Sequence, residues 1–112
     1  MSTQAIPETK ALPDPDVMAE HADAAAQILQ ALANQNRLMI LCTLVEGEAS
    51  VSAINQRVPL SQSALSQHLA RLRQEGLVAT RRDGQTIFYR IDDDDVLSLM
   101  GKLYELYCAP DQ

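Results

Sequence analysis

The sequence predicts a mainly α-helical domain with one β-hairpin before its last helix. Hydrophobic residues make up 46% of the 112 residues and aromatic residues only 4%, a balance that favours helices over sheets. Apolar residues recur at helical spacing along most of the chain. The segment "LVATRRDGQTIFYRI" (77–91) is instead rich in β-branched and aromatic residues around the hairpin signal Asp83-Gly84. This length allows one domain, and a partner subunit would help to bury its apolar surface.

The first helix is predicted from about Asp16, a fair N-cap, to Ala33. Its apolar positions follow the spacing i, i+3, i+4 and i+7, at Ala25, Ile28, Leu29 and Leu32. Residues 1–15 contain three prolines among scattered polar residues, which predicts a disordered tail. We therefore expect the folded domain to span residues 16–109 and a short tail to follow at 110–112.

A second helix is predicted within "NQNRLMILCTLVEGE" (34–48). Asn34 is its candidate cap and Gly47 its stop signal. Its inward stripe consists of Leu38, Leu41, Cys42 and Val45.

Two short helices joined by a tight turn are predicted next. Ser50 caps "VSAINQRV", which Pro59 cannot continue, and Ser61 caps a helix that runs to about Glu75 and stops at Gly76. Such a pair is the signature of a helix-turn-helix, and the β-hairpin directly behind it is typical of a wing. The predicted architecture is a winged helix-turn-helix with five helices and a two-stranded wing.

The last helix begins after an acidic run, Asp92 to Asp95, whose carboxylates suit a helix N-terminus. We interpret this run as a cap with a solvated edge rather than a cation site. Apolar residues cover about 200° of the following helix, twice the arc that packing on one core requires. They are Val96, Leu97, Leu99, Met100, Leu103, Tyr104, Leu106, Tyr107 and Cys108. The surplus indicates a second subunit.

Charge is distributed unevenly along the chain. The net charge is −6, yet residues 57–90 hold six arginines against two acidic residues, so this segment carries +4 and the remainder −10. A basic segment within an acidic protein indicates a phosphate-binding face. Chance clustering of solvated arginines is the alternative.

The outward face of the fourth helix is the predicted DNA-reading surface, because its leucines point inward and no carboxylate lies on the opposite arc. Gln can pair with adenine in the major groove, and Ser can reach base edges or phosphates. The candidate base-reading residues are Gln62, Ser63, Ser66 and Gln67. Further along, Arg71 could reach the DNA backbone or a guanine.

Additional DNA contacts are predicted from the wing. Arg81, Arg82 and Gln85 flank the hairpin tip, where they could reach a minor groove or its phosphates, although each could equally be an exposed polar residue. His68 lies beside the leucine ridge and is expected to be partly packed, orienting the helix, with a direct contact to a DNA phosphate as the alternative.

The two cysteines, Cys42 and Cys108, are expected to be free thiols. No apolar run reaches the length of a membrane span and the N-terminus has no leader pattern, so we expect a cytoplasmic and therefore reducing location. Their wide separation matches no zinc-binding spacing, and we expect neither metal nor cofactor. From the residues alone, Cys42 could be a small core hydrophobe and Cys108 an incidental terminal thiol.

From about Ala24 to Cys108 the chain resembles the ArsR (ArsR/SmtB) family of dimeric winged-helix repressors. The resemblance rests on three motifs in family order, "LANQNRLMILCTL", "LSQSALSQHLARLRQEGLV" and "RRDGQTIFYRI". It implies a homodimer assembled through the first and last helices and bound to a near-palindromic double-stranded DNA operator. The ligand positions of the family's metal sensors are not matched. The chain looks most like the family's dithiol branch, because Cys42 and Cys108 match that branch's two positions.

This branch implies a repressor that responds to reactive sulfur species or oxidants by linking its two cysteines through a disulfide or a longer sulfur chain. The alternatives are a repressor without thiol sensing, or an anti-repressor that displaces another regulator. A thiol oxidoreductase is disfavoured because no Cys-x-x-Cys motif is present, so we expect no enzyme. A module that binds only protein is opposed by the basic segment.

Overall fold

The computed structural model describes residues 14–108, so the predictions for residues 1–13 and 109–112 lie outside the described residues. The described residues form five helices and a small antiparallel sheet. The elements in chain order are α1 Pro15–Leu32, α2 Gln35–Thr43, β1 Ala49–Ser50, α3 Val51–Arg57, α4 Gln62–Gln74, β2 Val78–Asp83, β3 Thr86–Ile91 and α5 Asp94–Tyr107. The strand order in the sheet is β1-β3-β2. Within this part of the chain, no helix is both long and apolar enough to cross a membrane.

Helix α1 begins two residues earlier than the sequence predicts. Its N-cap is Asp14, whose side chain accepts a 2.8 Å hydrogen bond from the backbone N–H of Asp16. Pro15 occupies the first helical position, where its missing N–H costs nothing and its fixed φ suits the helix. The prediction of Asp16 as the cap, and of residues 14 and 15 as tail, is therefore wrong.

Helix α2 begins as predicted and ends early. The Asn34 side chain accepts from the backbone N–H of Arg37 at 3.0 Å, which confirms the cap. The helix stops at Thr43, and Gly47 closes the following turn with a 3.2 Å hydrogen bond to the Leu44 carbonyl. Gly47 has φ +145°, so it serves the turn rather than the helix end.

The helix-turn-helix has the predicted caps. Ser50 accepts from the N–H of Ala53 at 3.0 Å and Ser61 from that of Ala64 at 3.1 Å. Between the helices, the Asn55 amide donates to the carbonyls of Val58 and Leu60 at 3.2 and 3.1 Å. One amide thus satisfies two turn carbonyls and fixes the angle at which α4 leaves the turn.

The wing contains a strand that the sequence did not predict. In β1, Ala49 pairs with Tyr89 and Ser50 with Phe88, which makes the predicted two-stranded wing a three-stranded sheet. A strand of two residues is too short for any alternation to show in the sequence. The hairpin loop is also shifted by one residue, because Asp83 pairs with Thr86 and leaves residues 84–85 as the loop.

The core lies between the end of α1, helices α2, α3 and α4, the start of β2 and one face of α5. Its buried members are Ala31, Leu32, Ile40, Leu41, Leu44, Ile54, Val58, Leu65, Leu69, Leu72, Leu77, Val78, Val96 and Met100. On α2 the predicted inward stripe is rotated: Leu41 is buried, but Leu38, Cys42 and Val45 are only half-buried. On α5 the Asp93 side chain caps the N–H of Val96 at 3.0 Å, as the acidic run predicts.

Candidate nucleic-acid interface and dithiol site

The outward face of α4 carries the predicted base-reading residues. Gln62, Ser63, Ser66 and Gln67 are all exposed, while the leucine ridge of the same helix is buried. Ser61 caps this end, so the exposed residues occupy the first two turns of a well-formed helix. They form a rigid polar surface free of carboxylates.

An open groove of about 630 Å³ runs between α3, the start of α4 and the wing loop. Gln62 and Ser66 line it from α4, Asn55 from α3 and Gln85 from the wing loop. The structure therefore brings Gln85 together with two of the candidate base-reading residues. Hydrogen-bonding groups from three elements converge on one open surface.

The two wing arginines lie on opposite faces of the hairpin. Residues paired directly across two strands project from the same face of the sheet. Arg82 pairs with Ile87, which lines the groove beside α4, whereas Arg81 pairs with Phe88 on the other face. Arg81 donates from Nε and Nη2 to the Glu48 carboxylate at 2.6–3.1 Å, and its guanidinium lies 4.5 Å from the centre of the Phe88 ring. Both arginines stay predicted DNA contacts, but only Arg82 shares the face with α4.

Two further predicted residues of α4 have intramolecular partners. Arg71 Nε forms an exposed ion pair with Glu75 at 3.0 Å. His68 is half-buried, and its pKa is lowered first by burial and then by the positive charge of Arg37. A neutral His68 agrees with its predicted packing role.

The two cysteines are neighbours where α2 and α5 end. Cys42 is the penultimate residue of α2 and is half-buried, whereas Cys108 is the exposed C-cap of α5. Burial raises the pKa of the Cys42 thiol, and the charge and hydrogen bonding of the neighbouring Cys108 thiol raise it further. Both thiols are free. Residues 66 positions apart in sequence are thus brought together within one chain.

A pocket of about 280 Å³ opens beside Cys42. Thr43, Glu46 and Glu48 line it from the end of α2 and the following loop, Arg57 from α3 and Tyr104 from α5. Neither Glu48 nor Arg57 is predicted for this site from the sequence, because neither belongs to a periodic pattern or a motif. Within residues 14–108 no group of three or more His, Cys, Asp or Glu side chains could hold a metal ion.

An apolar surface remains exposed on α1 and α5. Leu29 is 56% exposed, Leu106 61% and Tyr107 80%. A groove of about 380 Å³ between the two helices is lined mainly by apolar side chains, among them Ile28 and Leu99. Exposed apolar area of this extent marks an interaction surface.

The domain is similar to known regulators of transcription. The family described as "Bacterial regulatory protein, arsR family" matches residues 34–80, which run from the cap of α2 into β2. The transcriptional activator HlyU of Vibrio cholerae is 46% identical over 95 residues, which cover 85% of this chain and 88% of that protein. The biofilm growth-associated repressor of Xylella fastidiosa is 41% identical over 95 residues, covering 85% and 83%.

Solved structures extend the similarity to the fold. Reduced HlyU from Vibrio cholerae superimposes with a TM-score of 0.81 at 46% identity, covering 84% of this chain and 99% of that one. The homodimeric winged helix-turn-helix DNA-binding domain of a possible ArsR-family regulator from Mycobacterium bovis gives 0.68 at 33% identity, covering 88% and 96%. The predicted winged helix-turn-helix architecture is confirmed.

Proposed function

Because the chain belongs to the ArsR family of bacterial transcriptional regulators, we propose that it is a homodimeric DNA-binding repressor whose operator affinity falls when Cys42 and Cys108 become linked. The named relatives regulate transcription, so the chain is a regulator and not an enzyme. The observation that carries the proposed switch is the meeting of the two thiols from α2 and α5.

In the proposed complex, the first turns of α4 enter the major groove of a near-palindromic operator. Base edges are contacted by Gln62, Ser63, Ser66 and Gln67. Arg71 contacts the DNA backbone when its guanidinium binds a phosphate in place of the Glu75 carboxylate. The wing contributes Arg82 and Gln85 beside α4. The +4 charge of residues 57–90 supports this orientation, because phosphate neutralisation supplies much of the affinity for DNA.

Dimerisation is proposed through α1 and α5. The exposed apolar residues of these helices support it, and the structurally similar domain from Mycobacterium bovis is homodimeric. A two-fold axis between the protomers would place the two α4 helices in successive major grooves, about one helical turn of DNA apart.

The proposed switch begins at Cys108, because this thiol is exposed while Cys42 is half-buried. The Cys108 thiolate attacks the terminal sulfur of a low-molecular-weight persulfide RSSH, forming a persulfide on Cys108 and releasing RSH. The Cys42 thiolate then attacks Sγ of Cys108, which forms the disulfide and expels hydrogen sulfide. A three-sulfur link requires a second RSSH, which supplies the extra sulfur and leaves as RSH.

The same pair can respond to peroxide. The Cys108 thiolate is oxidised to a sulfenic acid as the peroxide is reduced to water, and Cys42 condenses with the sulfenic acid to a disulfide, releasing a second water. Either link ties the end of α5 to α2, which packs on α4. We expect the link to change the spacing of the two α4 helices and to weaken operator binding.

DNA-binding titrations with the DNA upstream of the protein's own gene test this function. The reduced protein should bind, and treatment with glutathione persulfide should lower the affinity by about tenfold or more, a usual magnitude for coupled sites. Cys42→Ser and Cys108→Ser should bind DNA when reduced and should not respond to treatment. Intact-mass measurements identify the link. Equal affinities of reduced and linked wild-type protein would refute the switch.

A regulator without thiol sensing is the second candidate function. The raised pKa of Cys42 favours it, because a protonated, half-buried thiol reacts slowly and can serve as a packing residue. In that case Cys108→Ser would leave regulation in cells unchanged under sulfide and peroxide stress.

The sign of regulation needs its own experiment, since one relative is named an activator and another a repressor. A promoter reporter with and without this protein, in a host that lacks other regulators of that promoter, distinguishes the two roles. A direct repressor lowers reporter output by itself. An anti-repressor has no effect until the regulator that it displaces is supplied.

A further inference from the structure

Glu48 belongs to two structural units at once. Its carboxylate accepts hydrogen bonds from Arg81 Nε at 2.9 and 3.1 Å and from Arg81 Nη2 at 2.6 Å, so it holds a strand of the wing. The same residue lines the pocket beside Cys42. Glu48 is therefore a direct connection between the dithiol site and the wing.

The wing side of this connection is well defined. Arg81 lies over the Phe88 ring, and Phe88 pairs with Ser50 in β1, two residues after Glu48. The ion pair, the stacking and the strand pairing form a closed ring of contacts midway along the hairpin. The hydrogen bond from Arg81 lowers the pKa of Glu48, and the nearby charge of Arg90 lowers it as well, so Glu48 stays ionised at neutral pH.

The pocket side is equally direct. One pocket of about 280 Å³ is lined by Cys42, Glu46, Glu48 and Tyr104. A sulfur-linked group on Cys42 would occupy this cavity. A link to Cys108 would draw the cavity wall formed by α5 toward α2. Both changes act on the loop of residues 44–48.

We propose that Glu48 is a positioning residue that transmits the state of the Cys42 pocket to the wing through its ion pair with Arg81. In the resting protein the ion pair connects β2, across β3, to the residue that precedes β1, and it keeps the hairpin oriented beside α4. When a sulfur-linked group on Cys42 fills the pocket, or a link to Cys108 narrows it, the loop of residues 44–48 moves. The Glu48–Arg81 ion pair then opens and the hairpin becomes less ordered. The inference rests on the proposed function, since it explains how the thiols reach the DNA-binding surface.

The experiment uses the full chain carrying Cys108→Ser, so that Cys42 is its single thiol. Methyl methanethiosulfonate transfers a methylthio group to the Cys42 thiolate and releases methanesulfinate, which fills the pocket without any natural inducer. Amide hydrogen exchange of β2 and β3 is then compared before and after modification, in the absence of DNA. We expect exchange of the wing amides to accelerate several-fold on modification.

Matched variants identify the route. Glu48→Gln and Arg81→Gln should each give fast wing exchange before modification and little further change afterwards. Glu46→Gln removes the same charge from the same pocket, but within the described residues Glu46 forms no ion pair. Its wing amides should respond to modification as those of the parent Cys108→Ser protein do. Far-ultraviolet circular dichroism verifies that each variant is folded.

The inference fails if wing exchange in the parent does not change on modification, or if Glu48→Gln responds as the parent does. It also fails if Glu46→Gln loses the response as fully as Glu48→Gln, because loss of charge alone would then explain the effect. None of these results bears on whether linked thiols weaken DNA binding. Conversely, the wing exchange could respond to modification while the Cys42–Cys108 link leaves the DNA affinity unchanged. That result would refute the proposed function alone.

Discussion

Arg37 of α2 donates a 2.8 Å hydrogen bond from Nε to the backbone carbonyl oxygen of Ala31, in the last turn of α1. Its Nη2 lies 3.5 Å from the carbonyl oxygen of Gln30, and only 7% of the residue is exposed. The final carbonyls of a helix have no partner within the helix and carry partial negative charge. A buried cation from the next helix therefore satisfies the end of α1 and fixes the angle between the two helices.

Replacing this cation should destabilise the domain. Arg37→Met keeps most of the apolar stem but leaves the Ala31 carbonyl buried and unpaired, which should cost about 2 kcal/mol of unfolding free energy. Urea denaturation at one fixed protein concentration measures the loss. Arg71→Met is the matched control: its ion pair with Glu75 is exposed, so its effect should stay below about 0.5 kcal/mol. Equal losses in the two variants would contradict the role of Arg37.

Stability should fall as the pH drops below about 6.5, the ordinary pKa of histidine. The pKa of His68 is lowered in the folded state by burial and by Arg37, so the unfolded chain takes up the proton first. More protons bound in the unfolded state mean that stability increases with pH through this window and is lost on acidification. His68→Gln should flatten the profile of unfolding free energy that urea denaturation measures between pH 7 and 5.

Residues of α4 and of the wing should affect DNA binding in different ways. Gln67→Ala should weaken binding to the operator by about 1–3 kcal/mol and leave nonspecific binding nearly intact, because the proposed bidentate base contact would be lost. Arg82→Ala should weaken binding to all DNA alike and reduce the salt-dependence slope by about 1, because the proposed phosphate contact would be lost. Anisotropy titrations across a salt series, on operator and scrambled DNA, separate the two effects. An unchanged slope for Arg82→Ala would remove this residue from the interface.

The reactivity of Cys42 should rise at higher pH than that of an ordinary thiol. Its pKa is raised by burial and by Cys108, so the thiolate is scarce at neutral pH. Cys108→Ala should shift the alkylation profile toward lower pH, but only in part, because burial is the larger cause. Peptide mass spectrometry after iodoacetamide pulses from pH 6 to 10 measures the profile. A Cys42 midpoint equal to that of an unstructured cysteine peptide would contradict the prediction.

A charge on the exposed surface of α1 should separate the proposed dimer. Leu29→Glu places a carboxylate in the apolar groove beside Leu99 and should convert the dimer to monomer at micromolar concentration. Light scattering coupled to size exclusion measures the mass of the assembly. Gln27→Glu adds the same charge at an already polar position of α1 and should leave the assembly intact. A monomeric wild-type protein would contradict the proposal directly.

The sequence by itself determined the order of the five helices and the hairpin, together with the N-caps of α2, α3 and α4. The caps Asn34, Ser50 and Ser61 follow from local hydrogen bonding between a side chain and a backbone N–H three residues later. The leucine spacing of α4 likewise determines which side chains of this helix remain exposed. Such features can be predicted from the sequence, because the interactions that produce them join residues only a few positions apart.

Only the tertiary structure decided which distant residues meet. Strand β1 exists because β3 folds back beside it, and Arg81 is held because Glu48 lies 33 residues earlier in the chain but adjacent in space. Cys42 and Cys108 are neighbours because α5 packs on α2. None of these contacts has a period or a spacing in the sequence, since each results from how whole elements pack around the shared core.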